Sequence, residues 1–378
     1  MTKNKSFYLF FFLLYLFMTI GSFVQVLYFQ ETGHLGNFGI SYGAMAISGA
    51  VMQLSFRWIS ALKTKLLLNI ALILYGMSMT LRLLSYSVSA SILSGVIGGL
   101  SATTILIIVR LQLMDFASNH ENSNKIISSR FIVVQLAEVL GTILGGVMIG
   151  RTTNNVNNIQ IAIIVVAALV ILLILFPKKI TVKVHSERKL KIFTGNKHLI
   201  KIVLSSLMFG LLVSLVAPLI PAIFNGMLHK IDLVTALTTA STVLALIGSI
   251  VIGRTNIANK AYRFLVITML AMGVLFIVGS HFAALMILII LLYSFANPVY
   301  FQLKEVFEYN VIQKYNIDKI EMIAVSQTAF LIGDSIGTPI AGWFMSAWPL
   351  SNAMLAYGAI NFVFMIIFMT LWQKNKIL

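Results

Sequence analysis

Stretches of about 20 apolar residues, separated by short polar connections, recur along the whole chain and constrain its fold more than any other feature. About 20 residues are what a helix needs to cross the hydrocarbon core of a bilayer. The sequence is 59% hydrophobic and only 10% charged, which is far from the composition of a soluble domain. We therefore predict an all-α integral membrane protein with twelve transmembrane helices, at approximately 7–30, 39–58, 66–86, 89–113, 126–149, 157–177, 199–224, 232–253, 261–280, 282–304, 322–346 and 350–373.

The positive charges fall mainly into every second connection. If the twelve spans alternate in direction, 23 of the 27 Lys and Arg residues lie on one side and 3 on the other, with Arg110 inside a span. This bias predicts a multi-pass protein of the cytoplasmic membrane with both termini in the cytoplasm. The net charge of +16 is spread over short connections and forms no stripe on one face, so we do not expect a nucleic-acid partner.

The longest connection divides the chain into two halves. Residues 178–198 carry seven Lys or Arg residues and one acid, between the sixth and seventh spans. We predict an N-terminal six-helix bundle at 1–177, a basic cytoplasmic linker at 178–198 and a C-terminal six-helix bundle at 199–378. The linker is either simply solvated or a contact for anionic lipid.

Each half places one carboxylate inside an apolar span, within a similar pattern. Ala137-Glu138-Val139-Leu140-Gly141-Thr142 is matched by Gly333-Asp334-Ser335-Ile336-Gly337-Thr338, and the acids are 196 positions apart (334 − 138 = 196). A charge at the bilayer centre costs roughly 2.5–3.5 kcal/mol on insertion scales, so acids kept there commonly serve ion pathways. The repeated pattern indicates two pseudo-symmetric bundles.

A carboxylic acid in low dielectric is disfavoured in its charged form and can therefore exchange a proton near neutral pH. This chemistry makes Glu138 and Asp334 candidates for proton coupling. Two alternatives remain: the acids are structural and hydrogen-bonded to neighbouring helices, or they bind a cationic substrate directly.

Twelve spans in a 6+6 division, a basic central loop and a glycine-rich fifth span resemble the major facilitator superfamily. Its exporters carry Gly-x-x-x-Gly-Pro-x-x-Gly-Gly in span five, where this chain has Ala137-x-x-x-Gly141-Thr142-x-x-Gly145-Gly146. Ala137 and Thr142 depart from that pattern. The loop at 56–65 also lacks the acid of the family's signature, and the arginine expected near Gly95 is missing.

The resemblance implies a proton-coupled secondary transporter that moves a small organic or amphipathic solute by alternating access, with efflux by antiport favoured by the span-five glycines. Alternatives are a proton symporter importing a sugar, peptide or metabolite, a lipid flippase, and a non-transporting membrane enzyme or sensor. Gating residues implied by the two glycine-rich spans are Gly141, Gly145, Gly146, Gly337 and Pro339.

Spans one, four, seven and ten line the cavity in the resembling fold, which points to substrate-binding candidates. These are Arg110, Asn297, Gln25, Tyr28, Tyr293 and Tyr300. Arg110 could instead extend to the lipid headgroups, and Tyr28 could belong to an interfacial aromatic belt. We expect Arg82, near the outer end of span three, to be interfacial, and Pro298 to interrupt span ten.

A charged cluster of Lys304, Glu305 and Glu308 at the inner end of span ten is either an ion-pair gate or a solvated helix end. The chain has no cysteine, no His-Glu-x-x-His and no phosphate-binding Gly-x-x-x-x-Gly-Lys. We therefore expect no enzymatic activity, metal or cofactor. The expected partners are a small-molecule substrate, protons and membrane lipid, bound by a monomer.

Overall fold

The computed structural model describes residues 2–59, 64–118, 123–150, 156–176, 197–254, 261–315 and 319–373. Helices α1 to α13 comprise Thr2–Glu31, Leu35–Ile59, Thr64–Leu81, Val88–Ser118, Ser123–Ile149, Val156–Leu172, Lys197–Ser214, Ile220–Leu228, Ile231–Arg254, Ala261–Gly279, Ala283–Tyr315, Lys319–Ala347 and Leu350–Gln373. Short 3₁₀ turns at Leu173–Leu175 and Ala217–Leu219 follow α6 and precede α8. The prediction of an all-helical membrane protein is confirmed.

Two spans differ from the sequence prediction. The seventh, predicted as one helix at 199–224, is broken into α7, a 3₁₀ turn and α8. Pro218 lies in the turn and Pro221 in the first turn of α8, where each proline's missing N–H is tolerated. The tenth span was predicted to be interrupted, but Pro298 lies inside the continuous helix α11.

Nine of the described helical segments are long and apolar enough to cross a membrane, whereas α2, α5 and α12 are less apolar or shorter in their described part. The lower apolar character of α2 and α12 accords with their packing. Helix α2 lies between α4 and α12, and α12 lies between α2 and α7. Each helix is therefore covered on two sides, although Ile47 and Val51 of α2 and Trp343 of α12 stay exposed. Small residues such as Gly and Ser allow the backbones of α2 and α12 to approach neighbouring helices closely.

Helix contacts are dense within α1–α6 and within α7–α13. In the described part of the chain, the main pairs that join the two sets are α2 with α12, α5 with α9, and α1 with α8. We call the side where α1 begins and α13 ends the terminal side, and the opposite side the far side. Helices α1, α5 and α12 run from the terminal to the far side, while α2 and α9 run back.

A pair of glycine contacts repeats between the two sets. A Cβ on Gly141 of α5 would lie 3.0 Å from the carbonyl oxygen of Leu16 and 2.8 Å from Cβ of Thr19, both in α1. A Cβ on Gly337 of α12 would meet the carbonyl of Leu211 and the hydroxyl of Ser214, both in α7. Leu211 follows Leu16 of α1 by 195 positions (211 − 16 = 195), and Ser214 follows Thr19 by the same number.

A second pair of contacts repeats between the two sets, and these join one set to the other. Gly146 of α5 packs against Thr235 of α9, and Gly342 of α12 packs against Leu35 and Gly39 of α2. Gly342 follows Gly146 by 196 positions, and Thr235 follows Gly39 by the same number. The sequence repeat is thus accompanied by a repeat in helix packing.

Most of the predicted linker, 178–196, and positions 60–63 of the connection after span two lie outside the described residues.

Candidate functional site

Glu138 and Asp334 occupy corresponding places on α5 and α12. At about 100° per residue, Glu138 lies between the α1-facing Gly141 and the α9-facing Gly146. Asp334 likewise lies between the α7-facing Gly337 and the α2-facing Gly342. Both acids are half-buried. Each acid therefore lies beside a contact between the two helix sets, which we call a seam. On its other side, each acid is near a helix of its own set.

The surroundings of Asp334 are polar on two sides. The Ser214 hydroxyl of α7 lies near its carboxylate and donates to the Leu211 carbonyl at 3.0 Å. On the α2 side, Tyr42 is close enough to Asp334 for electrostatic coupling. The Thr338 hydroxyl bonds to the Asp334 backbone carbonyl at 3.3 Å. This carboxylate thus contacts one helix set and faces a tyrosine of the other.

The surroundings of Glu138 differ, although the backbone detail is repeated. The Thr142 hydroxyl donates to the Glu138 backbone carbonyl at 2.9 Å, as Thr338 does for Asp334. The structure shows no hydrogen bond between the Glu138 carboxylate and a described residue. Two hydroxyls of α9, those of Thr235 and Thr239, are buried without a partner along the seam next to α5.

Arg82 is buried, with 6% of its surface exposed, which corrects the expectation that it is interfacial. Its guanidinium turns into the α1–α6 set, where it donates to the Gln25 amide oxygen of α1 and lies 3.3 Å from the Met45 sulfur. It also lies against α4, since a Cβ on Gly98 would be 3.4 Å from Nη2. The family resemblance led us to expect an arginine near Gly95 of α4. A guanidinium does lie beside α4, but it comes from Arg82, directly after α3.

Gln25, which accepts the hydrogen bond from Arg82, is buried inside the α1–α6 set. Tyr42 and Tyr75 lie near Arg82. Tyr42 also lies near Asp334 of the other helix set.

Arg110 reaches across the α2–α12 interface. Its Nη1 lies 3.4 Å from the amide oxygen of Gln327 in α12, to which Gln53 of α2 also donates at 2.7 Å. Arg110 thus contacts a neutral amide of the other helix set.

Lys304 and Glu308 form an ion pair of 2.8 Å on consecutive turns of α11. The Glu308 carboxylate also accepts hydrogen bonds from Ser206 of α7 at 2.8 Å and from Ser326 of α12 at 2.7 Å. All three helices belong to the α7–α13 set, and both charged side chains are mostly buried. The side chain of Glu305 lies outside the described part.

Tyr293 and Tyr300 come together at a small cavity with room for about one water molecule, approximately 10 Å³. Their hydroxyls donate to the carbonyls of Val213 at 3.3 Å and Thr268 at 3.4 Å. Asn361 of α13 also lines the cavity, and its amide oxygen has no hydrogen-bond partner. The cavity lies beside Leu215 and Val216, where span seven is broken.

Two other candidates lie in the interior of their own helix sets. The Tyr28 hydroxyl donates to the Leu83 carbonyl at 2.7 Å and accepts from Gln160 at 3.2 Å. Asn297 has a buried amide oxygen without a partner. Tyr28 is therefore buried among α1, α3 and α6 and is not part of an interfacial belt.

The gating glycines divide into two groups. Gly141 and Gly145 pack against α1, and Gly337 packs against α7, inside their own sets. Gly146 and Pro339 lie between the sets, where Pro339 contacts the positions of Gly39 and Gly43 on α2.

The far side is closed by polar contacts between α1 and α8. Asn225 donates to the Glu31 carboxylate at 2.8 Å and to the Gln30 amide oxygen at 3.1 Å, and Gln30 donates to the Ala222 carbonyl at 2.8 Å. A neighbouring cavity of about 260 Å³ is lined by residues of both sets, including Gln30, Leu35, Gly226 and Met345. In this conformation the two sets are therefore joined at their far ends.

Several of these residues escaped the sequence analysis: Tyr42, Ser214, Asn225, Thr235, Thr239 and Gln327. Single polar residues in an apolar helix carry no signal of their partner. The threonines of α9 did carry one, since Thr235, Thr239 and Thr242 recur at the spacing of one helix face. Within the described ranges, no three His, Asp or Glu side chains come together to hold a metal.

Comparisons with known proteins identify the fold. The sequence matches no protein-family model and no curated protein is detectably similar. Three solved structures are similar over nearly the whole chain. The nucleoside transporter NupG has a TM-score of 0.77 and 11% identity, covering 99% of this chain and 100% of its own. A D-xylose-proton symporter has 0.68 and 12%, covering 97% of each chain. A bacterial homologue of the human lysosomal transporter Spinster, inward-facing and occupied, has 0.66 and 12%, covering 99% and 97%.

The predicted resemblance is thereby confirmed, because the chain has the fold of the major facilitator superfamily transporters. Its apolar helices are those of a multi-pass membrane protein. The solved structures named above are transporters and not enzymes, in agreement with the expectation of a non-enzymatic chain.

Proposed function

We propose that this chain is a proton-coupled secondary transporter that moves a small organic solute across the cytoplasmic membrane by alternating access. Its moving parts are the halves 1–177 and 199–378, joined by the linker 178–198, and the terminal side faces the cytoplasm. The repeated contacts of Gly141 and Gly337 with α1 and α7 support this division. The monomer is the transporting unit.

The position of the two acids carries the proposal. Glu138 and Asp334 lie at corresponding places next to the two seams that join the helix sets, so a movement that opens a seam changes the solvation of its acid. A carboxylate whose surroundings alternate between dry and wet has a reason to bind and release a proton in each cycle. A purely structural acid would not need to lie at a seam.

The direction of transport is the less constrained part of the proposal. The glycine-rich span five, with Gly141, Gly145 and Gly146, favours efflux by antiport. The similarity to a D-xylose-proton symporter and to a nucleoside transporter favours the alternative, import by symport of a polar metabolite. We place the solute between the halves, within reach of Arg110.

The test is solute flux in proteoliposomes under imposed pH gradients of both signs. A panel of labelled sugars, nucleosides, peptides and amphipathic cations covers both directions. We expect one class to move faster in one gradient than in the other, and the sign of that gradient distinguishes symport from antiport.

Two variants assign the coupling to the acids. Glu138→Gln and Asp334→Asn keep the side-chain shape but cannot exchange a proton, so each should remove the dependence on the gradient. Glu187→Gln, in the predicted linker, removes a carboxylate outside the spans and serves as the control. Coupled flux at the normal rate in the Glu138→Gln, Asp334→Asn double variant would refute the assignment.

A further inference from the structure

The hydrogen bonds that the structure describes between the two helix sets form two groups. On the far side, Asn225 of α8 donates to the end of α1. Nearer the terminal side, the amide oxygen of Gln327 in α12 accepts from Gln53 of α2 at 2.7 Å and lies 3.4 Å from the Arg110 guanidinium of α4. We call this second group the terminal-side contact.

The terminal-side contact lies at one end of the interface between α2 and α12. Gln53 follows Leu35, the first residue of α2, by 18 positions (53 − 35 = 18), or about 27 Å along the helix. Between them, a Cβ on Gly39 or on Gly43 would lie 2.7 Å or 2.6 Å from a backbone carbonyl oxygen of α12. Helix α2 therefore touches α12 through its backbone in the far half and through Gln53 near the terminal side.

A single atom joins α12 to two helices of the other set. Both described bonds end on Oε1 of Gln327, and a carbonyl oxygen has two lone pairs to accept them. Loss of this one acceptor therefore removes the described hydrogen bonds that α12 makes to α2 and to α4.

The residue before Gln327 is bonded to its own helix set. The Ser326 hydroxyl donates at 2.7 Å to the Glu308 carboxylate, which is paired with Lys304. Consecutive residues of a helix point about 100° apart. Helix α12 is thus attached to its own set on one face and to the other set on the next, so movement of the α7–α13 set as a unit carries Gln327 away from α2 and α4.

The chemistry of the contact suits repeated breaking. An amide is a neutral acceptor, and water can replace it when the groups separate, so loss of one such hydrogen bond changes an equilibrium by roughly two- to tenfold. Hydrogen bonds to a charged acceptor are about twice as strong. A carboxylate in place of the Gln327 amide would therefore keep Arg110 and Gln53 bound for longer.

We propose that Gln327 controls the opening of the terminal side. Its amide oxygen keeps α2 and α4 against α12 while that side is closed, and the side opens when Gln327 separates from Gln53 and Arg110. The strength of this contact sets how often the terminal side opens. This inference rests on the alternating access of the proposed function.

The test is the labelling rate of one introduced cysteine in the purified full chain, in lipid nanodiscs and without solute. Ala50→Cys is suitable because Ala50 is buried and lies on the same face of α2 as Gly43 and Gln53. A polar maleimide reaches it when α2 and α12 separate. Gln327→Leu should raise the labelling rate about tenfold, and Gln327→Glu should lower it about threefold.

Two further variants separate the contact from general damage to the fold. Gln53→Leu removes one of the two bonds and should give a smaller rise than Gln327→Leu. Gln302→Leu is the matched control, since the Gln302 amide donates to the Ser249 carbonyl at 3.4 Å within the α7–α13 set. It should leave the labelling of Ala50→Cys unchanged.

A second reporter, Ala222→Cys, follows the far side, because Ala222 is buried and lies one turn before Asn225 on α8. Its labelling should not rise in Gln327→Leu. An unchanged rate at Ala50→Cys in Gln327→Leu would overturn the proposal, as would the same rise in Gln302→Leu or at Ala222→Cys. Because labelling needs neither solute nor a pH gradient, it can succeed or fail independently of coupled flux.

Discussion

Lys304 and Glu308 show how single side chains are stabilised inside the α7–α13 set. Their pair is 2.8 Å long, only 10% and 14% of the two side chains is exposed, and Ser206 and Ser326 saturate the bonded carboxylate oxygen. Removing either partner of such a buried ion pair lowers the stability of the fold, because the remaining charge stays buried with no opposite charge to offset its desolvation.

Glu308→Gln should therefore destabilise the protein by about 3–5 kcal/mol. The expected observation is a fall of several degrees in the apparent Tm of the detergent-purified chain. A Lys304→Met, Glu308→Gln double variant removes both charges and should recover most of the loss. An unchanged Tm in Glu308→Gln would show that the pair is solvated and contributes nothing to stability.

Arg82 illustrates the limit of sequence reasoning at the residue scale. Its place near the end of span three suggested a headgroup contact, but the side chain turns inward to Gln25 and Met45. The direction in which a long side chain extends depends on space that other helices leave, here beside Gly98 of α4. No local pattern in the sequence records that space.

At the scale of elements, the contact between α2 and α12 depends on glycine. Gly43 faces the Ser335 carbonyl and the Pro339 ring, and its substitution by alanine brings a Cβ to 2.6 Å from both. Gly36, on the first turn of the same helix, is the matched control because a Cβ there would lie 3.5 Å from the Ser346 hydroxyl.

Gly43→Ala should destabilise the chain by roughly 1–3 kcal/mol, the usual effect of overpacking, while Gly36→Ala should be neutral. Thermal unfolding of both purified variants measures the difference. Equal Tm values would mean that α2 and α12 are not in backbone contact at Gly43.

The sequence predicted the elements well where apolar length decides, and less well where packing decides. Twelve apolar stretches located the helices, and the repeat around Glu138 and Asp334 located corresponding positions on α5 and α12. The break between α7 and α8 was missed, although Pro218 and Pro221 indicate it, because apolar character continues through both prolines. The neighbours of Asp334 could not be read from the sequence, since Ser214 and Tyr42 are distant from it along the chain.

At the scale of the whole molecule, alternating access requires the far-side contacts between α1 and α8 to open. The chain has no cysteine, so two introduced cysteines can be linked without further substitutions. Gln30→Cys with Asn225→Cys replaces two side chains that are hydrogen-bonded across the halves at 3.1 Å.

Linking these cysteines with a short reducible thiol reagent should stop solute flux in proteoliposomes, and reduction should restore it. Each single-cysteine variant, treated in the same way, controls for the reagent. Full flux in the linked protein would contradict a cycle in which the far ends of α1 and α8 separate.

The most direct test of the central claim, that two acids at corresponding seams couple solute to protons, is a measurement of solute-induced proton movement. Proteoliposomes in lightly buffered medium receive a transported solute, and a pH-sensitive dye records the response. We predict a pH change that is stoichiometric with solute and absent from the Glu138→Gln, Asp334→Asn double variant. Solute movement without a pH change, or the same pH change in the double variant, would contradict the claim.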